Sequence, residues 1–283
     1  MMTITGAFVL FDFLALDVSA FCAPNSRRAS QTNRHVPITM RFSSPSADVE
    51  SNEKGASMNL GFNAVYSSDP VPAASPQAIF EFFQDPAQRN CMVSAGNERQ
   101  IEEVQDSGTL LDLWKSRSRE LGATEPDESD VVLRAVTGAM RFPGLTLTSE
   151  AYVGAKLLEH SADEYPVYEF SLLFDKQRVE GFKIAVWIFN KLTGADDEAS
   201  ENKAVTRSLS KATAITTENG EIVFQVTITF TIQVFFPKIL LRILPVSKEK
   251  AEQQGSAAIR KVLEKDLNKA MRVLRQQYLE HLS

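Results

Sequence analysis

The sequence predicts an α+β fold, a curved antiparallel sheet with two short N-terminal helices and a long C-terminal helix packed across it. Three observations predict it. Phe224, Val226, Ile228, Phe230, Ile232 and Val234 alternate with Gln225, Thr227, Thr229, Thr231 and Gln233. This alternation gives a strand one apolar and one polar face. Ile259, Val262, Leu263, Leu267, Ala270, Leu274, Tyr278 and Leu282 form one apolar stripe at helical spacing. Asn219-Gly220 separates two alternating runs, the strongest short-range signal of a hairpin, because both residue types accept positive φ. A helix with one apolar stripe must lie on an apolar surface, and the half-apolar sheet before it is the available partner.

The elements follow in order. Met58, Leu60, Phe62, Ala64 and Tyr66 alternate with polar or small residues and predict a first strand. Pro70-Val71-Pro72 ends it. Ser75-Pro76 predicts a helix start, with a capping hydroxyl and proline at the first helical position. That helix runs through Ile79, Phe80, Phe82 and Phe83 and stops at Asp85-Pro86. Asn90-Cys91-Met92 reads as a loop. A second helical stretch is expected between Asn97 and Leu121, carrying Leu110, Leu111, Leu113 and Trp114. Strands are expected over Val131–Phe142 and Leu145–Glu159, around the turn signal Pro143-Gly144. Three more follow over Val167–Phe174, Ala204–Thr216 and Glu221–Phe236. No internal repeat is visible.

The chain has 283 residues, 43% hydrophobic and 23% charged, which suits one sizeable globular domain or at most two. Its net charge of −6, without a basic stripe, argues against nucleic-acid binding. Its two cysteines, Cys22 and Cys91, do not make a disulfide framework. Cys91 has no histidine nearby in sequence and reads as an ordinary thiol.

Residues 1–57 read as an address and a disordered linker rather than as fold, leaving 58–283 as the domain. Gly6 to Leu16 is mostly apolar, like the core of a secretory signal peptide, although Asp12 interrupts it and no basic residue precedes it. It is too short and too interrupted to span a bilayer. Ser19-Ala20-Phe21-Cys22-Ala23-Pro24 resembles the junction of bipartite presequences in algae with secondary plastids, where Phe21 would be the diagnostic residue. Arg27, Arg28, Arg34 and Arg41 follow among many serines, with no acidic residue from Val18 to Ala47, as in a transit peptide. The expected location is therefore a plastid, in the stroma or on the thylakoid periphery.

The order of elements is similar to the START-like (SRPBCC) superfamily, the helix-grip fold of the birch pollen allergen and the lipid-transfer START domains. A narrower resemblance rests on Phe142-Pro143-Gly144-Leu145, on Arg178-Val179-Glu180-Gly181, on the Phe236–Pro245 link, on Gly255 and on the helix to Tyr278. These resemble an uncharacterised cyanobacterial and plastid family within that superfamily. Gln277 before Tyr278 departs from the Asp-Tyr pair of that family. The resemblance covers Phe142–Leu282 well and Met58–Leu121 loosely. Its motifs concern fold and not catalysis.

Direct signs of chemistry are few. The three histidines, His35, His160 and His281, are scattered, and no zinc, di-iron, dinucleotide, phosphate-loop or hydrolase-elbow motif occurs. No cofactor is implied. Glu169, Asp175 and Glu180 are acid–base candidates only if a pocket buries them, and an outward strand face or a loop is the simpler reading. Asp266 reads as a charge at the edge of the helical stripe. Eighteen phenylalanines are the positive evidence, since they fill a core or line an apolar cavity. The residues expected to line such a cavity are Phe170, Phe174, Trp187, Phe224, Ile228, Phe230, Leu263 and Leu267. Two further segments, Phe182–Leu192 and Lys238–Leu244, read as buried connectors or as sites of transient membrane contact, the first alternatively as a pocket lid.

The expected function is binding of a hydrophobic small molecule (lipid, isoprenoid or pigment) between sheet and final helix, as carrier or sensor. Two alternatives stay open. One is an assembly factor for thylakoid complexes, with a filled core and an active surface. The other is a pocket enzyme of the cyclase or dehydratase kind, for which no polar pair can be nominated.

Overall fold

The computed structural model describes residues 55–94, 100–105, 108–136, 140–142, 145–159, 163–183, 186, 205–237 and 247–282. In chain order these form β1 (Gly55–Ser67), α1 (Pro76–Gln84), α2 (Pro86–Ser94), β2 (Gln100–Val104), α3 (Thr109–Leu121) and β3 (Val131–Val136). Then come β4 (Met140–Phe142), β5 (Leu145–Leu158), β6 (Val167–Gly181), β7 (Val205–Thr216), β8 (Ile222–Pro237) and α4 (Lys248–His281). One antiparallel sheet runs in the order β1-β8-β7-β6-β5-β3-β2, with β4 paired to β5. The expected fold class is observed.

The local signals act as read at several points. The Ser75 hydroxyl accepts from the Ala78 amide, with Pro76 opening α1. Ser247, not foreseen as a cap, caps α4 by accepting from the Lys250 amide. Thr216 pairs with Ile222 across the β7–β8 turn, where Gly220 has φ +78°, a conformation that favours glycine.

Two expectations need correction, the loop at Asn90-Cys91-Met92 and the end of β6. Asp85-Pro86 ends one helix and starts another, since the Asp85 carboxylate accepts from the Ala87 amide and Pro86 opens α2. Asn90-Cys91-Met92 is therefore helical, and Cys91 is buried. The helix expected between Asn97 and Leu121 is α3, which begins at Thr109, and strand β2 precedes it. Within the strand expected over Val131–Phe142 the described residues form β3 and β4, and β6 runs on past Phe174 to Gly181.

The inner face of the sheet carries one contiguous core. α4 contributes Ile259, Leu263, Leu267, Met271, Leu274 and Tyr278, and α1 contributes Ile79, Phe82 and Phe83. They meet Leu60 of β1, Phe224, Ile228 and Phe230 of β8, Phe170 of β6 and Leu133 of β3. α4 also covers the free edge of β1. The amides of Asn59 and Gly61 donate to Glu252 at 2.8 Å and to Ser256 at 3.0 Å. An edge strand whose N–H groups are satisfied in this way is no template for another chain.

The outer face is not left to solvent. α3 lies on it, and Trp114 packs with Val132 and Leu173 against the bare backbone of Gly154. The loop after α3 lies beside it. Lys156 bonds Asp127 at 2.7 Å and Asp130 at 2.6 Å, and Glu169 accepts from the Thr124 amide and pairs with Lys211.

Candidate functional site

The floor of the site is β7. Thr206, Ser208, Ser210, Ala212 and Ala214 all point to the inner face, and none is more than 6% exposed. Across the ladder they oppose Ile232, Phe230, Ile228, Val226 and Phe224 of β8. On the other side Ser210 pairs with Phe170 and Ala212 with Tyr168. A row of small side chains thus runs between two rows of large ones. The Ser210 hydroxyl is buried in this apolar setting and has no hydrogen-bond partner. A buried hydroxyl left unpaired costs about 1–3 kcal/mol, so it marks a place where the chain itself does not supply the partner.

Tyr168 and Phe170 form the wall beside that row, their rings stacked with centroids 4.7 Å apart. Burial pushes the Tyr168 phenol up to about 12, opposed by the Arg89 guanidinium next to it. Arg89 comes from α2, is only 7% exposed, and pairs with Glu103 of β2. Glu103 shares its face with its ladder partner Leu133, which is a core residue, so this pair sits on the inner side at the β2 edge. α2 brings in further polar atoms without partners, Gln88 Oε1 and Asn90 Oδ1. Across the Phe83 ring, which lies 6.2 Å from Tyr168 and 6.1 Å from Phe224, Tyr278 meets Phe82 and Phe224 edge-on at 5.2 Å, and its hydroxyl also has no partner.

Six of the eight residues expected to line a cavity lie together in the core cluster: Phe170, Phe224, Ile228, Phe230, Leu263 and Leu267. Trp187 lies outside the described residues, as does His160. Phe174 is placed elsewhere. Leu173 is an extra residue in β6, because Tyr152 pairs with Phe174 while Val153 pairs with Leu172. This bulge turns the alternation over. Phe174 then stacks on Tyr152 at 4.3 Å in the outer cluster rather than following Phe170 and Leu172 inward.

The acids are also located. Glu169 is 3% exposed, but on the outer face under the loop after α3, and so away from the inner row. Glu180 is exposed near the end of β6. Among the described residues no group of three or more His, Cys, Asp or Glu is placed to hold a metal ion. Among them, too, no helix is long and apolar enough to cross a membrane. The polar members of the inner site were not foreseen. A legible signal existed in β7, where Ser208, Ser210, Ala212 and Ala214 alternate with Leu209, Lys211 and Thr213. α2 had a weaker one, since proline after a helix stop is also a common helix start.

No family model matches the chain, and no curated protein matches it. Among solved structures it is similar to a norcoclaurine synthase point mutant of Thalictrum flavum in complex with a transition-state analogue. That match has 11% identity and a TM-score of 0.32, covering 81% of this chain and 99% of that one. It is similar to a Staphylococcus aureus protein of unknown function, at 11% identity and TM-score 0.36, covering 78% and 98%. A Rhizobium leguminosarum protein gives 10% identity and TM-score 0.31, covering 78% and 99%. Likenesses this distant carry no argument about what this chain binds or does.

Proposed function

We propose that this chain is a START-like protein of the cyanobacterial and plastid kind that holds a hydrophobic small molecule between sheet and C-terminal helix. It works as a carrier or sensor, in a plastid, after loss of the N-terminal presequence. The observation that carries the reading is the buried row of small side chains on β7 with the unpartnered Ser210 hydroxyl. Buried hydroxyls are mostly hydrogen-bonded, so the unpaired Ser210 hydroxyl between rows of large side chains calls for a partner. A ligand lying along the row would fill the space and offer Ser210 an acceptor or donor. Contact with a membrane during exchange is part of the proposal. Phe182, 75% exposed after the end of β6, opens the apolar segment that would make it.

The test is native mass spectrometry of the purified chain with organic extraction. A stoichiometric lipid, isoprenoid or pigment is the expected result. The variant Ser210→Leu, which fills the row, should lose that ligand while still folding. A chain that purifies empty and takes up nothing from a plastid lipid extract overturns the reading and turns attention to an assembly role.

A further inference from the structure

We propose that Arg89 holds the head group of the ligand, and that the ligand is an amphiphile ending in a carboxylate. The inference rests on the ligand-binding reading above and names the chemistry of that same site.

The argument starts from the cost of the arginine. A guanidinium taken out of water needs an anion and acceptors for its five N–H groups. Arg89 is 7% exposed, and its one ion pair among the described residues joins Nη2 to Glu103, whose side chain is 55% exposed. Its Nε is buried and has no partner. The edge formed by Nε and Nη2 matches the two oxygens of a carboxylate, yet Glu103 uses one half of it. Glu103 therefore serves as a resident counter-ion that an incoming carboxylate can replace. The newcomer takes Nε and Nη2 together, and Glu103, already half in water, turns out to solvent. The guanidinium stays paired throughout, so the exchange leaves no buried charge alone.

The surroundings fit the rest of such a molecule. Arg89 stands beside the Tyr168 hydroxyl, a second polar group for the head. From there the stacked Tyr168 and Phe170 rings lead to Ser210 and the small row of β7. That path is apolar and suits a hydrocarbon tail.

The probes are laurate and 1-dodecanol, matched in chain length, titrated calorimetrically into delipidated full chain. Laurate should bind at least about tenfold more tightly than the alcohol, the scale of one charge-assisted pair. Arg89→Met should abolish the preference, and Glu103→Gln, which removes the competitor, should raise laurate affinity. The comparison on the unaltered chain and on the Glu103 variant stands even if the Arg89 variant does not fold. Equal binding of acid and alcohol overturns the head-group assignment and leaves the carrier reading intact. Refusal of laurate with uptake of neutral lipids from the extract does the same. Refusal of laurate, alcohol and extract together overturns both.

Discussion

Gly154→Ala tests the packing of α3 on the outer face of the sheet. A Cβ at Gly154 would lie 2.3 Å from Cε2, 2.5 Å from Cδ2 and 2.6 Å from Cζ2 of Trp114. Carbon atoms pack at about 3.5–4.0 Å, so the indole would have to lift by more than about 1 Å. It has little room to do so, being 1% exposed and clustered with Val132 and Leu173. The cost should reach about 3 kcal/mol, the upper end for overpacking. For a domain of this size that lowers Tm by roughly 6–12 °C. Urea unfolding followed by circular dichroism measures it, in the original background and in Trp114→Leu. The shorter, pliable leucine should relieve most of the clash, leaving a coupling of about 2 kcal/mol between the two sites. If Gly154→Ala costs less than about 0.5 kcal/mol, or costs the same in both backgrounds, Trp114 does not lie on Gly154 and the outer-face placement of α3 is wrong.

Three further outcomes are expected. Arg134 and the Tyr152 hydroxyl hold the Glu150 carboxyl at about 2, below its ordinary value of 4.5. Its folded value is depressed, so its contribution is complete above about pH 4.5 and is lost as pH falls towards 2. Arg134→Gln should therefore flatten the acid side of the Tm profile in that window, and an unchanged slope would refute the assignment. Tyr278→Phe removes a buried hydroxyl that has no partner, so stability should hold or rise by up to about 1 kcal/mol, and a clear loss would reveal a partner. Burial raises the Cys91 thiol above its usual range, so in a Cys22→Ser chain iodoacetamide should label it only after denaturation. Prompt labelling of the folded chain would show that α2 does not bury it.

Local patterns determined most of the frame. The alternation over Phe224–Val234, the helical stripe from Ile259 to Leu282, the Ser75-Pro76 start and the Asn219-Gly220 turn are properties of short segments. Each acts through neighbours a few residues away, so each is legible without the fold. Phe170, Phe224, Ile228, Phe230, Leu263 and Leu267, expected to line a cavity, were legible as inward-facing for the same reason, because one apolar face can only turn inward.

The rest depended on contacts between distant segments. A single extra residue at Leu173 reverses the faces of β6 beyond it and sends Phe174 outward to Tyr152, and no local preference announces a bulge. α3 has a modest apolar side, which says that it packs but not on which face of the sheet. Gly154 decides that, by leaving a bare patch of backbone for Trp114 that only the assembled sheet presents. Arg89 is an unremarkable charge in sequence. It acquires its meaning when α2 carries it under the sheet, between Glu103 of one strand and Tyr168 of another. The Ser210 hydroxyl is likewise ordinary until Phe170 and Ile228 close around it. The sequence by itself determined the elements and their apolar faces, because those follow from periodicity along the chain. Tertiary structure alone decided which polar groups are shut away from water, because desolvation is a property of the whole assembled surface.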